Sequence, residues 1–135
     1  MPKAIPNISK YMTTQPHTIG IEQTLDKAEI MMREFHIRHL PVLHGGKFVG
    51  ILTDRDLRLV ETLKDVNPKE VTVDEAYTPN PYSVSPHAPL NEVCAEMASH
   101  KYGSALIVDN NKLVGIFTWV DALTAFSELL NTRLK

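Results

Sequence analysis

A single cysteine among 135 residues rules out any internal disulfide, so the fold must be held by an ordinary apolar core. The lone thiol, Cys94, also makes a reducing cytoplasm the expected compartment. Long hydrophobic runs are missing as well. The longest, Ala105 to Val108 and Leu113 to Phe117 around Gly115, fall far short of the roughly twenty residues that cross a bilayer, so no membrane span is expected. The opening residues, Met1 to Pro6, hold no apolar stretch of the secretory kind. There is no excess of one charge. A net charge of -2 draws the chain neither to nucleic acid nor to an anionic membrane, and any anion has to be met by a local group of donors. No serine, cysteine or lysine stands with a base and an orienting partner, and no Walker-type loop occurs, so an enzyme is not expected. What is present is a 43% hydrophobic share, enough in one domain's length to form a globule.

The chain is written twice. Gly50, Thr53 and Asp56 return as Gly115, Thr118 and Asp121 under one shift of 65 positions that needs no gap. The same shift sets Thr13 on Thr78, Pro16 on Pro81, Leu25 on Leu90, Met32 on Met97, Lys47 on Lys112, and Val49 and Ile51 on Val114 and Ile116. About ten of roughly forty-six aligned positions match, against the one in fifteen to twenty expected by chance, which establishes a duplication.

Each copy reads as β-α-β-β-α. A short extended piece follows a proline, His17 to Ile19 in the first copy and Tyr82 to Val84 in the second. Leu25, Ala28, Met31, Met32 and Phe35 then recur at helical spacing, as do Leu90, Val93, Met97 and Ala98. Two strands follow, Leu40 to His44 and Phe48 to Leu52, joined by Gly45 and Gly46; Asn110 and Asn111 serve the second copy. Nearly all-apolar strands predict sheets covered on both faces. Thr53 and Thr118 stand where helix N-caps belong, ahead of Asp54 to Leu63 and of a closing helix from Trp119 to about Leu134. Residues 64–72 read as a linker, giving expected domains of 8–63 and 73–130 that form one integrated module. Too few strands per copy to close a core predict that the two pack together through their sheets.

The repeated turn, Gly50 to Asp56 and Gly115 to Asp121, supports two readings. A helix N-terminus offers unpaired amides and a partial positive charge that suit a phosphate, and an acid one turn on can accept bonds from both hydroxyls of a ribose. Equally, threonine with an acid three residues later is a capping box, which needs no ligand.

Tyr11, Met12, Thr13 and Pro16 at the entry, Ile37 to Leu43 in the middle and the tandem Gly-x-x-Thr-x-x-Asp turns together resemble the cystathionine beta-synthase (CBS) domains, whose paired copies are called Bateman modules. The resemblance covers nearly the whole chain and points to the standalone bacterial or archaeal type. It implies an α+β fold of tandem CBS domains related by pseudo-twofold symmetry. It also implies two half-sites in a cleft between the copies, holding AMP, ADP, ATP or S-adenosylmethionine. Carried over by position, Asp56 and Asp121 would hold ribose hydroxyls and Thr53 and Thr118 would lie beside ribose or phosphate, with backbone around Thr18, Ile19, Ser83 and Val84 facing adenine. Arg38 and His39 occupy the place of a phosphate-contacting basic pair, and Arg55 sits in the first helical turn. Gly103, Ser104, Trp119 and Val120 replace these basic positions in the second copy, so the positive charge is one-sided.

Other residues have plainer explanations. His36, His39 and His44 lack a carboxylate or thiol at ligand spacing, so no metal site is expected. Cys94 and the methionines read as core. Trp119 either stacks on an adenine or packs at its helix start. The closing helix carries an apolar stripe of Val120, Leu123, Phe126, Leu129, Leu130 and Leu134, which suggests a homodimer through the terminal helices. The expected function is a regulatory module that senses an adenosyl ligand and modulates an unnamed partner protein. The alternative is a ligand-independent dimerisation scaffold.

Overall fold

The computed structural model describes residues 4–133. Eight short strands and four helices form an α+β arrangement in which each repeat supplies two helices. Strands β1 (Thr13–Thr14), β2 (Ile19–Gly20), β3 (His39–His44) and β4 (Lys47–Thr53) are followed by β5 (Thr78–Pro79), β6 (Ser83–Val84), β7 (Ser104–Asp109) and β8 (Lys112–Thr118). The helices are α1 (Leu25–Phe35), α2 (Asp54–Glu61), α3 (Leu90–His100) and α4 (Trp119–Arg133). Leu134, the last residue expected in the closing helix, lies outside the described residues.

The described chain divides by packing into two bodies: one holds His17–Pro81, and the other joins the residues up to Pro16 to those from Tyr82 onward. The first contains a sheet in the order β2-β3-β4-β5, the second one in the order β6-β7-β8-β1. In each, a parallel pair is followed by two antiparallel ones. The fourth strand in each sheet comes from the entry segment of the other sequence repeat. Thr78 and Pro79 pair with Ile51 and Gly50, and Thr13 and Thr14 pair with Ile116 and Gly115.

Local chemistry explains the elements. Thr24 caps α1 by accepting the Lys27 amide at 3.2 Å, and Leu25, Ala28 and Met32 place one helical face in the core. Both α1 and α3 stop at a residue in the left-handed conformation, His36 (φ 55) and Lys101 (φ 59), after which Ile37 and Tyr102 amides return to the Met32 and Met97 carbonyls. The hairpins turn on Gly45 and Gly46 (φ 58 and 81) and on Asn110 and Asn111 (φ 51 and 65), the paired positive angles of a tight two-residue turn.

One core gathers Ile19, Leu25, Ala28, Met32, Leu40, Val42, Leu52, Leu57 and Val73. The other gathers Ile8, Val93, Met97, Ala105, Ile107 and Phe117. The Leu, Ile, Val, Met and Phe side chains among them contribute about 1.5–3 kcal/mol each when fully buried. Pro41, Ile51, Leu106 and Ile116 alternate with these along the strands and are buried too, so both faces of each sheet are out of water.

Residues 64–72 run back along the first repeat. The amides of Leu25 and Asp26 donate to the Val71 and Pro68 carbonyls at 2.9 and 3.2 Å, and Val73 is fully buried in the first core. In the other body the Leu90 amide donates to Pro6, and Ile8, the repeat counterpart of Val73, takes the corresponding buried place. The expected domains follow the repeats in sequence; these bodies follow where the chain packs.

Candidate functional site

Strand β4 runs directly into α2, which sets Thr53 at the helix N-cap and Asp56 one turn inside. The Thr53 hydroxyl accepts the Asp56 amide at 3.2 Å, and Asp56 Oδ2 accepts the Thr53 amide at 2.9 Å. The capping box foreseen as the plainer reading is therefore formed. In the second body Asp121 Oδ2 likewise accepts the Thr118 amide at 2.9 Å, while the Thr118 hydroxyl lies 3.4 Å from the same oxygen.

Each acid also holds a second, distant threonine. Thr78, on the crossing strand β5, places its hydroxyl 3.5 Å from Asp56 Oδ1, and Thr13 on β1 places its own 3.2 Å from Asp121 Oδ1. Neither contact is needed for a helix cap, and both are exposed to solvent. An ionised carboxylate offers about four lone-pair directions, so the main-chain bond leaves room for further hydroxyl donors. Thr13 and Thr78 were not among the site residues expected from the sequence, although the 65-residue shift matches them to each other.

The glycine that opens each turn permits this crossing. A Cβ on Gly50 would collide with the Thr78 carbonyl and the Tyr77 ring, and one on Gly115 would lie 2.6 Å from Met12 Sδ and 3.0 Å from the Thr13 carbonyl. The short strand carrying the second threonine can lie this close only because no side chain intervenes.

Strand pairing gathers the other expected residues of the first body at the same end. His39 is the cross-strand partner of Thr53, and the Asp54 amide donates to the Arg38 carbonyl at 3.0 Å. Arg55 stands exposed on the first turn of α2. Ile19 pairs with Val42, which brings Thr18 toward the start of β3, but the Ile19 side chain is core and only its backbone can face a ligand. Among the described residues neither Arg38 nor Arg55 is in an ion pair, whereas Arg58 meets Asp54 at 3.6 Å. The second body has Ser104 opposite Thr118, with Trp119 and Val120 about half exposed, 47% and 54%, where the first has Asp54 and Arg55. Ser83 is exposed, and Val84 packs against the second core.

Burial lowers the pKa of His39 from its ordinary 6.5, opposed by the Asp54 carboxylate and reinforced by Arg38. The imidazole is therefore neutral at pH 7, and the cationic share of the expected basic pair falls to Arg38. Because the unfolded chain takes up this proton more readily than the native one, the stability that neutral His39 allows is complete above about pH 6.5 and declines as pH falls through the lower native value. A His39→Gln variant should lose stability less steeply on acidification in urea titrations between about pH 7.5 and 5. Equal slopes would contradict the assignment.

Among the described residues no three His, Cys, Asp or Glu side chains gather as a metal site, and no helix is long and apolar enough to cross a membrane. The Cys94 thiol is half buried, and burial raises its pKa.

Two sheets of one topology, each closed by a crossing strand and each ending in a capped Thr/Asp turn, define a tandem α+β repeat module. The CBS domain model matches residues 8–61 and 69–128, and the chain belongs to the CBS domain family. It is 33% identical over 110 residues to the CBS domain-containing protein YhcV of Bacillus subtilis (strain 168), covering 82% of this chain and 78% of YhcV. A crystal structure of an AcuB protein from Vibrio cholerae superposes with a TM-score of 0.86 at 32% identity, covering 95% of each chain. The CBS domain pair of protein MJ0100, solved in complex with 5'-methylthioadenosine and S-adenosyl-L-methionine, shares the fold with a TM-score of 0.83 at 24% identity, covering 93% of this chain and 98% of that one.

Proposed function

We propose that this protein is a non-catalytic, cytoplasmic regulatory module that binds an adenine nucleotide or related adenosyl ligand at its Gly-x-x-Thr-x-x-Asp turns and alters a partner protein accordingly. The observation that carries the reading is the second threonine on each acid. Thr78 reaches Asp56 from 22 residues away and Thr13 reaches Asp121 from 108, so two hydroxyl-accepting carboxylates recur where a cap alone needs one amide. A ribose diol offers the same donors, and could replace or join these hydroxyls on the exposed oxygens. The adenosyl ligands of the MJ0100 pair support this class of ligand. Arg38 and Arg55 favour a phosphorylated ligand at the first turn, while the second turn, which has Gly103 and Val120 in their places and Trp119 exposed, suits a less charged one.

Thermal unfolding with AMP, ATP and S-adenosylmethionine tests the proposal. A ligand at about a hundred times its dissociation constant should add near 2.7 kcal/mol of stability. No response to any adenosyl compound would leave the module without its function.

A second reading has its own support. Val120, Leu123, Phe126, Leu129 and Leu130 are each 38–55% exposed along α4, an apolar stripe that a monomer rarely leaves in water. We propose a homodimer through these terminal helices, with or without ligand. Sedimentation at tens of micromolar should show the dimer, and a monomeric profile would remove it.

A further inference from the structure

The chain passes between its two bodies at two places that are built alike but are not equally at ease. Gln15 (φ 49) precedes Pro16 and Asn80 (φ 52) precedes Pro81, matched residues under the 65-position shift, and each pair stands where one body gives way to the other. Asparagine visits positive φ readily, but glutamine does not, and a residue before proline is further driven toward extended backbone. The strain therefore falls on the first crossing. Ahead of it, the segment up to Thr14 is a separable arm. Among the described residues its main-chain bonds outside itself all reach residues 86–116 of the second body, where Ile8 is fully buried.

We propose that two copies of this chain exchange these arms: Gln15 straightens, and each arm leaves its own second body for that of a partner. Every contact of the arm is remade between chains, so the exchanged pair keeps the β1–β8 pairing and the seat of Ile8 while both Gln15 residues lose the positive angle. The freedom lost on association favours the closed chain at low concentration, and relief of the two hinges favours the pair at high concentration. Exchange also hands Thr13 of each chain to the partner's Asp121, which makes the second turn the work of two chains. That this shared turn holds a ligand rests on the adenosyl reading above; the exchange itself does not.

A disulfide tells exchange from simple association. Asn7 and Pro89 face each other between the bonds from Leu90 to Pro6 and from Ile8 to Ala88, the close, non-hydrogen-bonded kind of antiparallel pair that a disulfide can span. The full chain carrying Asn7→Cys and Pro89→Cys, with Cys94→Ser to leave no other thiol, is concentrated in mild urea, returned to buffer, separated by size and oxidised until thiol titration is complete. On a denaturing gel a closed chain is locked to itself and runs as a monomer, even if two such chains had associated through α4. An exchanged pair runs as a covalent dimer, the band expected from the dimer fraction. Gln15→Gly, which adopts φ 49 without strain, should lower the dimerisation constant roughly fivefold to thirtyfold per hinge. Gln15→Pro, with φ held near about −65°, forbids closure and should make the covalent dimer dominant. Circular dichroism checks that each variant is folded, and the glycine variant decides alone should the proline variant not be. Absence of a dimer fraction, monomer bands alone from it, or an equal covalent share with glycine and glutamine at position 15 overturns the proposal. A missing thermal response to adenosyl compounds leaves these bands unchanged.

Discussion

Asp56→Ala and Asp121→Ala should each weaken adenosyl-ligand binding roughly tenfold to a hundredfold at the affected turn. A charge-assisted hydrogen bond contributes about 1.5–3 kcal/mol, and the alanine removes the acceptor altogether. The same substitution also breaks the main-chain bond at 2.9 Å from Thr53 or Thr118, so some stability is lost with the affinity. A cap of this type is worth about 0.5–2 kcal/mol. Asp→Asn at both positions separates the two roles. The amide oxygen can still accept the threonine N–H, but the charge is gone and one acceptor has become a donor. Calorimetry and urea titration should then find near-native stability with weakened binding for the asparagines, and losses in both for the alanines. Unchanged affinity in both alanine variants would mean that the acids are caps and nothing more.

Gly50→Ala should cost about 1–3 kcal/mol, reversing the gain that replacing glycine usually gives inside a strand. The added methyl meets the Thr78 carbonyl and the Tyr77 ring, neither of which can yield without moving β5. Gly115→Ala should cost less. Its nearest neighbour is the thioether of Met12, a flexible side chain that can swing aside, and the Thr13 carbonyl lies at 3.0 Å. Urea midpoints measure the difference, and ligand affinity should drop with Gly50→Ala because Thr78 is carried away from Asp56. Equal costs at the two glycines would show that the crossing strands are held equally loosely.

Local signals predicted most of the elements. Helical periodicity located α1 and α3, and paired Gly45–Gly46 and Asn110–Asn111 located both hairpins, because each is decided by neighbours in sequence. Strands β1 and β5 carried no such signal. Two residues long, they exist only through pairing with distant partners, Thr13 with Ile116 and Thr78 with Ile51, and neither periodicity nor turn chemistry can announce that. Thr13 and Thr78 stayed hidden as acid partners for the same reason. The duplication had marked them, but a match between repeats does not reveal what touches what. The stretch 64–72 shows the same limit: its mixed charge reads as a linker, and nothing in its composition announces that Val71 and Pro68 provide carbonyls for the start of α1. The opposed pulls on His39, burial against the Asp54 charge, likewise become visible only once β3 and α2 are in place.

The exchange of entry strands sets an order of assembly. Residues 17–81 form a contiguous body whose strand pairings all close within one stretch of chain, so every strand of its sheet is present once residue 81 has been made. The segment before it must wait, with Ile8, Tyr11 and Met12 unsheltered, until β8 and α3 have been synthesised some hundred residues later. A chain made only as far as residue 100 would hold every strand of the first sheet, but β1 and β6 would still lack β8 and β7, their partners.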